Sequence, residues 1–483
     1  MEQEYKQLFV GGDLSGIQKF LYNISSKKAA VSLKGRSYYL QQYMNDVCSK
    51  IENAVKEAGA QNSEVIYNSG GKFYLLTDNS EQIQAAIVNC TELVQKELWH
   101  KHMGQLGISI NYVPFTENAD GTINSEGPEK QKPGCLWKIV NASFHRQKNQ
   151  KYKDLLLDSY ESYFEPIPVE GQQHVCAVTG IESPDCVKID DDLYVLPSVM
   201  QQIQLGEKLS NQQHFKTFGD YADKTNLGVL RMDIDGLGKR FIEGFNSIKE
   251  YKEFSKRLVD FYENETEKFQ QEKEFFDYLN IIYAGGDDLF VIGRWDKVID
   301  FAERIHKEVE DAFGKEGITI SGGIVVINPK FPISKAAESA GEAEETAKQF
   351  REGEKNALCF LGKTVSWREE FDYVKSYQQQ FVSMIENYGL SKSILHKLML
   401  YSSIADQNNV LAREGKPEDF SYIWHVSYYL TRYINRYKSN NEVCAFCRHL
   451  RDKEINYRNG RKMELIALAA RWAELMLKDN LNN

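Results

Sequence analysis

GVLRMDIDGLGKRF (residues 228–241) and NIIYAGGDDLFVIG (residues 280–293) decide the fold. The first is an apolar run ending in Asp233-Ile234-Asp235-Gly236-Leu237, with Lys239 two places on. The second is two apolar runs joined at Gly285-Gly286, the composition of a tight hairpin, since glycine takes positive φ without strain. Both shapes recur near the N-terminus. LFVGGDLSGIQKF (8–20) ends in Asp13-Leu14-Ser15-Gly16-Ile17, and VIYNSGGKFYLLT (65–77) is broken at Gly70-Gly71. Each copy then passes through a helical stretch into another apolar strand, GISINYVPF (107–115) or ITISGGIVVI (318–327). The order β, α, β-turn-β, α, β is the split βαβ pattern of ferredoxin-like and palm domains. The chain therefore reads as an α+β protein built on a duplication.

Length and composition frame that reading. The 483 residues are 42% hydrophobic and 27% charged, ordinary for a soluble enzyme and too apolar for disorder. No run of about 18 apolar residues and no basic, then apolar, leader is present, so no membrane partner and a cytoplasmic location are expected. A formal charge of −10 argues against gripping nucleic acid over the whole surface, though not against a local basic groove. Local basic sets are Lys27, Lys28, Lys34 and Arg36, then Lys148 to Lys153, then HLRDKEINYRNGRK (449–462). Eight cysteines are too few for a disulfide scaffold. The segment TENADGTINSEGPEKQKPGC (116–135) reads as an exposed loop, and residues 366–483 carry helical spacing throughout. Four parts are expected: a first palm (1–155), a small linker domain (156–215), a second palm (216–365) and a helical C-terminal domain (366–483).

The copies differ where chemistry would sit. In the second, Asp287 and Asp288 follow the hairpin glycines and Asp233 ends the first strand; the first keeps only Asp13. Carboxylates that close repel one another unless a cation lies between them, and an all-oxygen set suits Mg²⁺ or Mn²⁺, two of which can serve an in-line phosphoryl displacement. Asp233, Asp287 and Asp288 are the expected ligands and catalytic acids, with the Ile234 carbonyl an extra and Asp235 expected toward the opposite side of the strand. Ser321-Gly322-Gly323 puts glycines inside a strand, where either a nucleobase or a closely packed helix must approach the backbone. Lys348, at the end of the helical stretch that follows, is either a phosphate contact or a solvated lysine.

GGDLSGIQKFLYNISSKKAAVSLKGRSYYLQ (11–41) closely resembles the N-terminal palm signature of the large subunit of type III-A CRISPR effector complexes, the Csm-type "Cas ten" family. YAGGDDLFVIG (283–293) and ISGGIVVINPKFPISKAAESAGEAEETAK (320–348) resemble its catalytic palm, so the likeness runs in order over roughly residues 8–365. The resemblance implies a target-RNA-activated nucleotidyltransferase that joins ATP into cyclic oligoadenylates. It implies Asp233, Asp287 and Asp288 as metal-binding acids, Gly285, Gly286, Ser321, Gly322 and Lys348 as donor-nucleotide contacts, and Asp13, Gly16 and the Gly70-Gly71-Lys72 hairpin as an acceptor cradle. The implied partners are guide and target RNA, the subunit that binds the guide 5′ end, and small helical subunits.

The chain also departs from that family. Members commonly begin with a nuclease domain built on adjacent His-Asp ligands, yet none of the nine histidines here precedes an aspartate, so that activity is not expected. HVCAVTGIESPDCVKIDDD (174–192) keeps only half of a paired Cys-x-x-Cys zinc module, and four ligands are needed, so zinc is not expected. Cys444 and Cys447 read as two buried thiols one turn apart. Two other functions remain open at this level: a different adenylate product, such as an S-adenosylmethionine–AMP conjugate, and a catalytically silent scaffold.

Overall fold

The computed structural model describes residues 5–24, 28–126, 130–153, 156–157, 160, 173–190, 193–210, 217–222, 225–417, 419–455 and 460–479. Two sheets organise it, the first antiparallel throughout and the second with one parallel pair. Strands β1 (Gln7–Ser15), β2 (Ser63–Ser69), β3 (Lys72–Asp78), β4 (Gly107–Glu117) and β5 (Ile123–Ser125) form the first, in the order β2-β3-β1-β4-β5. Two short ribbons follow, β6 (His174–Val175) with β7 (Glu182–Ser183), and β8 (Val187–Asp190) with β9 (Leu193–Val195). The second sheet holds β10 (Leu227–Ile234), β11 (Leu279–Gly285), β12 (Asp288–Arg294), β13 (Ile320–Ile327), β14 (Ala357–Phe360) and β15 (Lys363–Ser366), in the order β11-β12-β10-β13-β14-β15. The first four strands of each sheet thus share one order, and β1 and β10 are central, which is why both read as near-continuous apolar runs.

The hairpins match in finer detail. β2 carries a bulge between Val65 and Tyr67, and β11 carries one between Ile281 and Tyr283, at the same distance from the turn. The register, however, corrects the sequence alignment by one residue. Ser69 pairs with Lys72 around a Gly70-Gly71 turn, whereas Gly285 pairs with Asp288 around a Gly286-Asp287 turn. Both glycines of the first turn have positive φ (63° and 75°), the type I′ pattern; in the second only Gly286 does (72°), the type II′ pattern. The second position of such a turn accepts an ordinary residue, so Asp287 sits at a hairpin tip without strain.

Each sheet is backed by long helices with polar caps: Ser80 accepts the Ile83 N–H at the start of Glu81–His102, and Ser247 accepts that of Glu250 at the start of Ile248–Gln271. The two repeats pack reciprocally. Helix Ala29–Glu57 of the first touches β11 of the second, and helix Ile248–Gln271 of the second touches β2 of the first. Likewise the short helix Ile17–Tyr22 meets Ile333–Lys348, and Leu237–Glu243 meets Gly134–Lys148.

Helix Pro197–Ser210 crosses Ala29–Glu57 so tightly at Gly35 and Gly206 that a Cβ on Gly35 would lie 1.8 Å from the Gln202 carbonyl oxygen. The described residues between 372 and 479 form helices and their connections, and Trp295 at the start of Trp295–Phe313 donates from Nε1 to Asp479 (2.6 Å), tying that region to the second sheet. Among the described residues no helix is long and apolar enough to cross a membrane. The loop expected over 116–135 contains β5 instead, with Ile123 and Ser125 buried against β4. Arg36, expected in a basic surface set, is buried and donates to the Phe20 and Asn23 carbonyls and to Gln202 (3.0 Å). Lys27 lies outside the described residues, and Lys28 pairs with Glu207.

Candidate active site

Three elements bring the acids together. Asp233 ends β10, Asp288 begins β12 directly across from it, and Asp287 is the tip of the β11–β12 turn. One carboxylate oxygen from each lies within 4.8 Å of the other two, the only group of three or more metal-ligating side chains among the described residues. The Asp287 backbone is pinned: its carbonyl accepts from the Ile234 N–H (3.0 Å) and the Tyr262 hydroxyl (3.3 Å). Burial, then the charge of Asp287, pushes the Asp233 carboxyl up to about 8 against the pull of Lys348. Burial and Asp287 raise Asp288 as well, although it shares a hydrogen bond with Asp233. A hard, crowded, part-buried oxygen set whose members resist ionising together is compatible with a divalent metal ion.

Lys348 reaches the cluster from the end of helix Ile333–Lys348. Its Nζ lies 2.6 Å from Asp233 and 2.7 Å from Glu344, one turn earlier. Burial disfavours its charge, but the two carboxylates more than offset that and hold it above the usual lysine range. Glu344, which the sequence reading missed, also faces Arg231 (3.3 Å). The available signal was helical spacing from Lys348. The first repeat contributes Tyr22, whose ring stands edge-on to Phe290 at 5.4 Å and whose hydroxyl is pushed up to about 12, chiefly by burial.

Other expected contacts fall elsewhere. Ser321 is fully buried and donates to Asp235 Oδ2 (2.9 Å). The same oxygen of Asp235 accepts from Thr319 (2.8 Å) and the Asn356 N–H (3.1 Å). Asp235 stays out of the cluster because the chain turns at Gly236, with φ of 71°, and not because of strand alternation, since residues two apart share a face. Gly322 and Gly323 serve packing: a Cβ on Gly322 would meet Met232 at 2.9 Å, and one on Gly323 would meet the Glu344 nitrogen at 2.2 Å. Ile234 has a buried side chain and uses its N–H on Asp287.

Gly285 and Gly286 face the other hairpin. A Cβ on Gly285 would lie 2.7 Å from Ser69 Oγ, one on Gly286 3.1 Å from Gly70 Cα, and Ser69 Oγ accepts the Gly286 N–H (2.9 Å). Gly70 mirrors this against Gly286, while a Cβ on Gly71 would strike Ile17 at 2.4 Å. Gly16, at φ 89°, starts helix Ile17–Tyr22 as Gly236 starts Leu237–Glu243. Asp13 is buried and paired with Lys148 at 2.6 Å. Lys148 ends helix Gly134–Lys148 as Lys348 ends its own, so the acid–lysine pair is itself duplicated.

Away from this site, the Cys176 sulfur accepts N–H groups from Thr179 and Leu196, both at 3.4 Å. Cys444 and Cys447 are buried, and His449 turns to Tyr377 and Glu454.

Residues 226–359 match the family model described as Cas10/Cmr2, second palm domain, and residues 6–166 match Csm1 subunit domain B. The chain is 26% identical, over 87% of its length, to the CRISPR system single-strand-specific deoxyribonuclease Cas10/Csm1 (subtype III-A) of Enterococcus italicus, covering 63% of that protein. It is 25% identical, over 89% of its length, to the protein so described from Streptococcus thermophilus, covering 62% of it. The chain thus spans a little under two thirds of these relatives. Among solved structures, a Csm1–Csm4 cassette in complex with pppApApA matches with a TM-score of 0.68 at 16% identity, over 97% of this chain and 69% of that one. The apo cassette gives 0.65 at 17%, over 97% of this chain and 70% of that one, a likeness of fold. Two family models in chain order, on a palm that carries a triad of acids, and relatives along most of the sequence make this chain a homologue of the Cas10/Csm1 proteins of subtype III-A.

Proposed function

We propose that this chain is a nucleotidyltransferase that joins ATP into cyclic oligoadenylates within an RNA-guided complex, switched on when target RNA pairs with the guide. The observation that carries the proposal is the asymmetry of the duplication: one acid triad at the strand ends of one repeat, its hairpin pressed against that of a repeat without the triad. Two reacting nucleotides need one metal centre and two cradles, and holding them face to face turns a bimolecular encounter into an oriented one. Related structures fit: Csm1–Csm4 cassettes have been solved with one ATP, with pppApA, with cA3 and with cA4.

On this reading residues 1–155 are a first palm on the acceptor side, 156–215 a linker, 216–365 the catalytic palm and 366–483 a helical partner-binding region. Asp233, Asp287 and Asp288 would hold Mg²⁺ or Mn²⁺, which lowers the pKa of a ribose hydroxyl and neutralises charge on departing pyrophosphate. Lys348, anchored between Asp233 and Glu344, sets a fixed positive charge where phosphate oxygens arrive. The hairpin glycines admit the close approach of the two repeats that convergence of the nucleotides requires. A subunit equivalent to Csm4 is the expected neighbour, from the Csm1–Csm4 subcomplex of a type III-A interference complex.

The test is to incubate the purified complex with labelled ATP and Mg²⁺, with and without target RNA and S-adenosylmethionine, and to identify products by mass. A ladder of cyclic adenylates that needs target RNA and disappears in Asp287→Asn/Asp288→Asn is expected. An S-adenosylmethionine-linked product, or outputs unchanged in that variant, would replace this reading with a different transferase or with a scaffold.

A further inference from the structure

The two repeats place opposite charge at equivalent positions. Around the second-repeat strand ends stand four carboxylates, Asp233, Asp287, Asp288 and Glu344, against Arg231 and Lys348. Around the first-repeat strand ends stands one carboxylate, Asp13, among Lys19, Lys72, Lys148 and Lys151. Lys72 lies directly across the β1–β3 ladder from Asp13, where the second repeat has Asp288 across from Asp233. Lys148 lies 2.6 Å from Asp13, as Lys348 lies 2.6 Å from Asp233. One turn before Lys148 stands buried Phe144, where the second repeat has Glu344, so Lys148 lacks the second carboxylate that Lys348 has. Among the described residues only Lys148 of these four lysines is paired with a carboxylate.

Lys151 is held in place. After helix Gly134–Lys148 the chain turns back through Tyr152 in the left-handed region (φ 58°). The Tyr152 hydroxyl donates to the Leu106 carbonyl, and its ring stands edge-on to Trp99 at 4.9 Å. That anchor lays the Lys151 stem over Gly107 at the start of β4, where a Cβ would meet it at 2.9 Å, and Gly107 is the register partner of Ser15. Burial, then the charges of Lys148 and Lys19, holds the Lys151 ammonium below its ordinary range, as in a cluster short of anions.

We infer that Lys148, Lys151, Lys72 and Lys19 form a polyphosphate site that works without a divalent cation, holding on the first repeat by ammonium groups what the second repeat would hold through a metal ion. The site deepens the reading of this repeat as an acceptor cradle, and rests on it for the identity of the nucleotide but not for the binding itself. A compact cluster around a single buried acid suits a short, dense anion more than an extended strand.

The test uses the full chain with Asp287→Asn/Asp288→Asn, so that the acid centre is disarmed, in excess EDTA. Binding of inorganic tripolyphosphate and of ATP is measured by calorimetry at two salt concentrations. One equivalent of each is expected to bind, more weakly at higher salt. At least tenfold weaker binding is expected in Lys148→Gln/Lys151→Gln, and also in Lys19→Gln/Lys151→Gln, two exposed changes that spare the Asp13 pair. A strict need for a divalent cation, indifference to both lysine variants, or tighter lysine-dependent binding of a ten-nucleotide single-stranded RNA would overturn the inference, the last in favour of a nucleic-acid contact. Metal-free tripolyphosphate binding that persists in a chain unable to turn over ATP would support this site while rejecting the proposed reaction.

Discussion

Asp233 shows how a crowded acid cluster strains its own fold. Its carboxyl, pushed up to about 8, holds a proton in the folded chain more tightly than an unfolded aspartate does. With a raised folded pKa, stability from this group falls as pH rises from about 4 toward 8, because the folded state must then keep a charge it resists. Asp288, raised for the same reasons, adds in the same direction. In EDTA, Asp287→Asn/Asp288→Asn should therefore melt above the wild type, by a margin that widens from pH 5 to pH 8. Added Mg²⁺ should raise the wild-type melting temperature and leave the variant where it was. Scanning calorimetry at three pH values reads both effects, and a variant that melts below the wild type at pH 8 would show that the acids serve the fold and not a cation. These three acids were legible in the sequence because their types and spacing are unusual for a turn. Glu344 and Lys148 were not, since a glutamate or a lysine on a helix is ordinary until its partner across the sheet is known.

At the scale of elements, the hairpin contact depends on glycine for two separable reasons. Gly70 has a φ of 63°, and a Cβ there would also meet Tyr283 Oη at 3.1 Å and Gly286 Cα at 3.2 Å. Gly389 has a similar φ of 69° with open space around it, so Gly389→Ala isolates the dihedral cost, about 1–2 kcal/mol. Gly70→Ala should cost more than Gly389→Ala in a urea titration, and it alone should depress ATP turnover, because it moves the second hairpin and Asp287 with it. Equal losses, with turnover intact in both, would mean that the hairpin contact does not position the acids. The duplication itself was readable from apolar runs ending in Asp-x-x-Gly and broken by glycine pairs. The one-residue offset between the hairpins was not, because two adjacent glycines look alike in sequence and only the ladder tells Ser69-Lys72 closure from Gly285-Asp288 closure. The strand glycines at 322 and 323 left two readings open; the helix backbone behind Gly323, and Met232 against Gly322, supply a packing reason for both.

Across the whole molecule, the reciprocal packing of the repeats means that neither has a core of its own. One continuous cluster of buried residues runs from Phe9, Tyr74 and Trp137 of the first repeat to Tyr251, Phe254 and Leu289 of the second. Trp137 stacks on Tyr251 with ring centroids 3.3 Å apart and also touches Phe9 and Tyr74, so a single side chain bridges both halves. Truncating a buried tryptophan costs about 3–5 kcal/mol through lost contact and the cavity left behind. If the repeats were independent bodies, that loss would stay in the first. The shared cluster predicts instead that Trp137→Ala lowers amide protection in β1 to β4 and also in helix Ile248–Gln271, whose Tyr262 hydroxyl supports the Asp287 carbonyl. Hydrogen exchange followed by mass spectrometry distinguishes the two, and a change confined to residues before 150 would refute the coupling. The same linkage predicts a loss of ATP turnover in Trp137→Ala larger than its loss of folded protein, because the tryptophan stacks on the helix whose Tyr262 hydroxyl supports the Asp287 carbonyl.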